Sequence, residues 1–471
     1  MKTRIFKRAS VSAAVITAIA TCAMTGQAVA ADDVSPEYKA GYEKFVEDHK
    51  LSGGLFYFQR GRDRMQGKPD QDGKYHSNLS HTTTQLALNY NSGYAWDMVG
   101  LDLAGFTAYD LAVDESNPVN QENEFSFAAS KFGDNYKSGN DGTPANGYSI
   151  TTAALKLKMF DGAMTAKAGH TQLYVPGIIG VNWSYQPGTY QGGQVEGNFG
   201  PLYVTYAYAN EYKAPWFKQT GKFYKAQAWG SLTSENEIDY IHGLAARYTI
   251  DGGPTLTASY GQSEGWMDSY FAKVAHTFDI MGGLNTSYQF YGSETNDNFY
   301  DGLAQLHAIT LGTTQGAYSY RLEGTYVKAE GDSGNYLPRM TKGYGNSQGA
   351  LEIWWDSRSD WNHNNEKAVF TGVTRTLDDL VDAKGWAVGL SGAYGWDAEN
   401  GDGSLTNGKE YAYNVDVMYT VQDGYLKGTL FKLHYTDYTN KQDDLGDWAY
   451  PNMFSSEKDV KFHVVIPFSI I

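Results

Sequence analysis

Short runs in which apolar and polar residues alternate recur along most of the chain. The apolar phases include Leu86, Leu88 and Tyr90; Leu155, Leu157 and Met159; Leu202, Val204, Tyr206 and Tyr208; Val415, Val417, Tyr419 and Val421; and Phe431, Leu433 and Tyr435. Side chains alternate between the two faces of a β-strand. Each run therefore predicts a strand with one face suited to lipid and the other suited to a polar lumen.

Tight turns separate these runs and fix the number of strands. Eight are predicted at Asn91-Ser92-Gly93, Asp161-Gly162, Phe199-Gly200-Pro201, Asp251-Gly252-Gly253, Met281-Gly282-Gly283, Thr314-Gln315-Gly316, Ala383-Lys384-Gly385 and Asp423-Gly424. Asp-Gly is a strong hairpin signal because such turns need residues that tolerate positive φ. Two strands and a longer polar connection are expected between successive turns, the longest connections being about residues 110–150 and 329–365. Nine two-strand units give 18 strands, with both termini on the short-turn side.

The apolar piece at residues 351–355 is assigned to a loop, because another strand would make the count odd. Composition agrees with a membrane-spanning sheet: the chain has 53 Gly and 37 Tyr but only 12 Pro. A sheet in a bilayer must close, since lipid satisfies no open edge. The predicted fold is all-β: a single transmembrane antiparallel β-barrel of 18 strands, with short periplasmic turns and long extracellular loops in a Gram-negative outer membrane.

The two ends of the chain suggest export and membrane assembly. Residues 1–30 combine a basic start, a short apolar core and Ala28-Val29-Ala30, which predicts a signal peptide cleaved before Ala31. A membrane anchor or a lipoprotein at Cys22 fits less well. Residues 31–50 are predicted to be a short periplasmic arm, either helical at the barrel mouth or frayed, and residues 51–471 the barrel. The last strand ends at Ile471 rather than at an aromatic residue, and we expect the barrel-assembly machinery to read it.

Charge and cysteine content exclude several partners. Without the signal, 33 basic residues stand against 53 acidic ones, a net charge of −20, which argues against nucleic acid. Cys22 is the only cysteine, so the mature chain has no thiolate site. We expect no cofactor and no metal, and a monomer or weak homotrimer surrounded by outer-membrane lipid.

The most informative segment holds three arginines spaced by two. Arg60, Arg62 and Arg64 share one face of a strand, and Phe56 and Phe58 share it with them. Cations facing lipid would each cost ~2–4 kcal/mol near the bilayer midplane. The face is therefore either the lumen, where guanidinium groups line a channel beside aromatic rings, or a solvated strand end. In the first case, rings stack on sugars and arginines bind hydroxyl, acetamide or carboxylate groups.

Two long loops contribute further candidates. Trp354, Trp355 and Arg358 lie in a Trp-rich loop that suits carbohydrate binding or packing of the loop on itself. The earlier loop carries Asp110 and the carboxylates Asp114, Glu115, Glu122 and Glu124. If this loop folds inward opposite the arginines, these carboxylates set a transverse field across a constriction. Otherwise they form a solvated acidic loop.

Enzyme signals are weak. Gly261-Gln262-Ser263-Glu264-Gly265 matches G-x-S-x-G, but that motif needs a strand–turn–helix context that the sequence does not indicate. No catalytic residue is predicted. A barrel-embedded hydrolase, which would carry an outward-facing Ser/His or Asp/His constellation, is the least favoured alternative.

Segments along nearly the whole chain resemble the OprD-type porins, and most closely their chitoporin branch. They are FVED (residues 45–48), FYFQRGRDR (56–64), NLSH (78–81), PGTYQGG (187–193), NEYKAPW (210–216), YFAK (270–273), SYQFYG (287–292), RLEGTYVKA (321–329), WWDSRSD (354–360) and DVKFHVVIPF (459–468). The resemblance implies an 18-stranded, substrate-selective channel whose basic ladder begins at Arg60, Arg62 and Arg64. The chitoporin branch implies passive uptake of chitooligosaccharides into the periplasm. Related branches imply the alternative of a general porin, or one selective for amino acids or aromatic acids.

Overall fold

The computed structural model describes residues 43–65, 75–77, 80–113, 125–127, 131, 146–180, 184–225, 232–342, 353, 359–380, 384–441 and 456–471. The predicted signal peptide and residues 31–42 of the arm lie outside this set. Residues 43–47 form a helical turn just before the first strand. No helix among the described residues is long and apolar enough to span a membrane.

Almost all regular structure in the described residues is β-strand. The strands are β1 (Lys50–Met65), β2 (Tyr75–Ser77), β3 (His81–Asn91), β4 (Val99–Val113), β5 (Gly147–Met159), β6 (Met164–Thr171), β7 (Thr189–Phe199), β8 (Leu202–Lys213), β9 (Phe223–Tyr224), β10 (Glu237–Ile238), β11 (Ile241–Thr249), β12 (Thr255–Ser263), β13 (Met267–Phe278), β14 (Leu284–Thr295), β15 (Ala304–Gln315), β16 (Tyr318–Lys328), β17 (Lys367–Thr376), β18 (Trp386–Ala398), β19 (Gly408–Thr420), β20 (Leu430–Asn440) and β21 (Glu457–Ser469). One-turn 3-10 helices occupy Phe160–Gly162 and Ser234–Asn236.

Eighteen of the described strands form one closed antiparallel barrel. Each pairs with its neighbours in chain order, and β1 pairs with both β3 and β21, which closes the sheet. The short strand β2 pairs with the last residues of β1, beyond the part of β1 that pairs with β3. Strands β9 and β10 form a separate small sheet. The prediction of an 18-stranded antiparallel barrel is confirmed.

All eight predicted turns join successive strands at one end of the barrel, called here the turn end. In the β5–β6 turn, Asp161 and Gly162 both have positive φ, 54° and 88°, as this type of hairpin requires. Ser52 pairs with Ser469, so both ends of the described barrel also lie at the turn end.

The opposite, loop end carries the longer connections, of which residues 114–146 and 329–366 are the longest. The expectation of a long connection between every pair of turns is wrong at one place. Strands β12 and β13 are joined by residues 264–266 alone, because Gly265 adopts a φ of 63° and reverses the chain at once.

The outer wall is apolar with aromatic residues concentrated near both rims. The predicted lipid phases face outward; Leu155, for example, is 59% exposed. Exposed rings near the turn end are Phe199, Tyr248, Phe278, Tyr318 and Trp386, and those near the loop end are Tyr109, Tyr148, Tyr326, Tyr394 and Tyr413. Two aromatic girdles around an apolar band are the signature of a barrel in a bilayer.

Loops from the loop end fill one side of the barrel interior with a hydrophobic core. The β6–β7 loop supplies Leu173, Val175, Ile178 and Ile179, the β8–β11 loop supplies Trp216 and Phe217, and the β16–β17 loop supplies Tyr336 and Met340. These side chains pack against the wall residues Phe271 and Tyr291. Polar inward-facing side chains on β1, β3 and β19–β21 occupy the other side.

Candidate functional site

The arginine segment of β1 lies on the inner wall. Arg60 and Arg62 are only 4% and 3% exposed, whereas Gln59 and Gly61, on either side of Arg60, are exposed on the outer face. Alternate residues on a strand are about 6.8 Å apart, so the three guanidinium groups succeed one another along the wall from the loop end inward. The interpretation of this segment as a lumen-facing row is the one the geometry supports.

Two carboxylates on β21 interleave with the arginines. Arg62 pairs in register with Asp459, and Arg64 with Glu457. Arg62 donates from Nη2 and Nε to Asp459 Oδ2 at 2.7 and 3.2 Å. Arg60 Nε lies 3.4 Å from Asp459 Oδ1. Glu457 contacts Arg62 Nε at 3.3 Å and Arg64 Nε at 3.0 Å. Each carboxylate thus bridges two arginines, and we call these five residues the β1–β21 ion-pair row.

A second row of polar groups continues the inner wall on β19 and β20. Asp416 accepts a hydrogen bond from His434 Nδ1 at 2.9 Å and lies 3.1 Å from Lys432 Nζ. The Thr436 hydroxyl lies 2.7 Å from His434 Nε2 and donates to Asn414 Oδ1 at 2.8 Å. Asp416 therefore bridges two side chains of β20, as Asp459 and Glu457 each bridge two arginines of β1.

Aromatic rings cover the wall on the turn-end side of the arginines, and two of these rings come from loops. Phe125, in the β4–β5 loop, stacks on Phe58 with ring centroids 3.8 Å apart. Tyr185, in the β6–β7 loop, stacks on Phe56 at 4.7 Å and hydrogen-bonds His463 Nδ1 at 2.6 Å. Phe58 is completely buried beneath Phe125, while Phe56 and Tyr185 remain half-buried.

The described part of the β4–β5 loop enters the barrel. Phe127 stacks on Phe106 of the inner wall at 5.2 Å, and Gln85 donates a side-chain hydrogen bond to the Phe125 carbonyl. The four carboxylates assigned to a constriction, Asp114, Glu115, Glu122 and Glu124, lie outside the described residues and stay a prediction. Trp354, Trp355 and Arg358 are also outside this set.

Sequence reasoning missed Asp459, Glu457, Phe125 and Tyr185. A local signal existed for the carboxylates, because Glu457, Asp459 and Lys461 are spaced by two at the start of β21. Their register against β1 joins the two ends of the chain and cannot be obtained from either segment alone.

The G-x-S-x-G match lies where one barrel strand turns into the next. Ser263 ends β12, is fully buried, and precedes the three-residue turn into β13 rather than a helix. The motif therefore lacks the strand–turn–helix geometry that its chemistry requires.

A closed barrel with an apolar outer band, a polar inner wall and loops folded inward defines a channel-forming porin of an outer membrane. The family model for the outer membrane porin, OprD family, matches residues 43–449. The chain belongs to the OprD family, and the resemblance predicted from its segments is confirmed. Its turn end is therefore periplasmic and its loop end extracellular.

A curated relative and several solved structures are similar to this chain over most of its length. The chain is 42% identical to the chitoporin of Escherichia coli (strain K12), over 92% of this chain and 94% of the relative. Solved structures with the same fold include Acinetobacter baumannii OccAB1, with a TM-score of 0.72, 16% identity and coverage of 93% of this chain and 100% of that one. Pseudomonas aeruginosa OpdK with vanillate gives a TM-score of 0.70, 17% identity and coverage of 90% and 100%.

Proposed function

We propose that this porin takes up chitooligosaccharides by passive, substrate-selective diffusion into the periplasm. The observation that carries the proposal is the 42% identity, over nearly the whole chain, to a relative named chitoporin. The lumen supplies the two kinds of contact that amino sugars use. Arginines offer hydrogen-bond donors, and the half-buried aromatic pair of Phe56 and Tyr185 lies farther along the same face of β1, beyond Phe58.

The proposal gives each lumen group a role. Arg60, Arg62 and Arg64 bind hydroxyl and acetamide oxygens, and the stacked rings of Phe56 and Tyr185 form a platform for the apolar faces of sugar rings. Phe58 holds Phe125, and through it the β4–β5 loop, in place. Trp354, Trp355 and Arg358 are proposed to capture sugars from outside, and the carboxylates Asp114, Glu115, Glu122 and Glu124 to line the constriction.

Two further expectations belong to this proposal. The chain is proposed to work without catalysis or cofactor, as expected of an outer-membrane porin of this family. Outer-membrane lipid covers the apolar band, the assembly machinery inserts the barrel, and the porin is a monomer or weak homotrimer.

A second candidate is a channel selective for aromatic acids. It is favoured by the similarity in fold to OpdK, whose structure contains vanillate, and by the arginines themselves, since guanidinium groups pair with carboxylates in bidentate fashion.

Swelling of proteoliposomes in isosmotic sugar separates the candidates. We expect faster swelling in chitotriose than in maltotriose, a neutral sugar of similar length, because only the first carries acetamide groups. Equal rates in the two sugars, together with rapid permeation of vanillate, would favour the aromatic-acid channel and contradict the chitooligosaccharide proposal.

A further inference from the structure

The three arginines of β1 do not present an isolated positive surface. Asp459 and Glu457 alternate with the arginines along the wall, so that Arg62 contacts both carboxylates at distances of 2.7–3.3 Å. Both carboxylates are buried in the inner wall, at 2% and 0% exposure, and both belong to β21.

A guanidinium row without such partners would attract anions strongly. A charged row in a narrow channel focuses its field and raises the local concentration of counter-ions by 10-fold or more. A carboxylate of the protein at 2.7 Å from the guanidinium cancels much of that field. It also occupies the position that the carboxylate of a solute would take.

We infer that Asp459 and Glu457 are specificity determinants that weaken the attraction of the β1 arginine row for anionic solutes without penalising neutral ones. The inference rests on the proposed function, in which the substrate is a neutral sugar. Neutral sugars gain nothing from a net positive field, so they are not penalised when it is cancelled. A carboxylate-bearing solute of the same size loses most of the attraction, because the charges of two of the three arginines are balanced and the binding position on Arg62 is taken.

The same geometry has a purely structural interpretation, in which the ion pairs only hold β1 to β21. The two roles differ in what they change. A structural clamp affects barrel stability alone, whereas a specificity determinant also sets the ratio of chloride to potassium permeability in the folded channel.

The test uses Asp459→Asn, Glu457→Gln and the double variant in planar bilayers. The matched control is Asp63→Asn, which removes a carboxylate from the exposed, outward-facing side of β1. Reversal potential across a roughly tenfold KCl gradient reports the permeability ratio. We expect the double variant to raise the chloride-to-potassium ratio about tenfold, and to be blocked by vanillate at a correspondingly lower concentration. Asp63→Asn leaves both unchanged.

An unchanged permeability ratio in a correctly folded double variant overturns the inference. If the double carboxyl variant fails to fold, the pair Arg62→Gln with Asp459→Asn removes one charge of each sign. It must then fold and keep the parent ratio, while Glu457→Gln alone must raise it. These readouts use only salt and vanillate. They therefore stand or fall separately from the chitooligosaccharide proposal, which fails if the parent channel shows no preference for chitotriose.

Discussion

Gly261 on β12 is the wall position at which two inward-folded loops meet the barrel. A Cβ added there would overlap the Cγ2 methyl of Ile178 and lie 3.1 Å from the sulfur of Met340. Ordinary contact is about 3.5–4.0 Å between carbon atoms, so Gly261→Ala must displace both loops. Overpacking of this kind costs about 1–3 kcal/mol. Ile178 and Met340 lie inside the barrel, so their displacement is toward the channel axis.

We therefore expect Gly261→Ala to lower single-channel conductance, to increase open-channel noise and to reduce the melting temperature. Gly324→Ala is the matched control, because a Cβ on that wall glycine meets no atom closer than 4.0 Å. Conductance and melting temperature are compared in the same detergent and lipid. If the two variants behave alike, the loops do not rest on Gly261 and the description of the filled lumen is wrong.

Glu366, Phe125 and the predicted signal peptide each allow a separate test. Burial and the neighbouring Glu410 hold the pKa of Glu366 well above its usual value, so the stability it contributes is present below a pH of about 4.3 and is lost as pH rises. Between about pH 5 and about pH 9, the melting temperature of the parent should fall more than that of Glu366→Gln; parallel curves would refute this. Phe125→Ala removes the ring that covers Phe58, so we expect the free energy of unfolding to fall by about 3–5 kcal/mol and the single-channel conductance to rise. An unchanged conductance would show that other contacts hold the β4–β5 loop in the barrel. The intact mass of the protein from outer membranes should correspond to a chain that begins at Ala31, and a mass that includes residues 1–30 would contradict signal cleavage.

The barrel was predictable because its determinants are local. Alternation sets which side chains face lipid, and residues such as Asp161 and Gly162 reverse the chain wherever they occur. Parity then fixes the strand number. The three-residue connection after Ser263 escaped this reasoning because loop length was inferred from the general asymmetry of such barrels and not from the residues themselves.

The lumen was only partly predictable because its contacts join distant segments. The spacing of Arg60, Arg62 and Arg64 placed them on one face, but their pairing with Asp459 and Glu457 depends on barrel closure across nearly 400 residues. Phe58 illustrates the same limit. Its phase in β1 indicated a lumen-facing ring, yet a ring from the β4–β5 loop covers it.

Two substitutions at adjacent positions of β1 distinguish the contribution of the Phe56–Tyr185 platform from that of the lipid-facing surface. Phe56→Ala removes the ring that stacks on Tyr185, whereas Leu55→Ala removes a side chain of the lipid-facing surface one residue away. If sugars stack on this platform, only Phe56→Ala shortens the residence time of a bound oligosaccharide.

Single-channel recording with chitohexaose determines whether chitooligosaccharides enter and bind in this channel. We expect chitohexaose to cause transient blockades of the parent channel that are absent with maltohexaose. These blockades should be shorter in Phe56→Ala and unchanged in Leu55→Ala. A channel that no sugar blocks, but that arginine or benzoate blocks strongly, would contradict the assignment of chitooligosaccharides as its substrates.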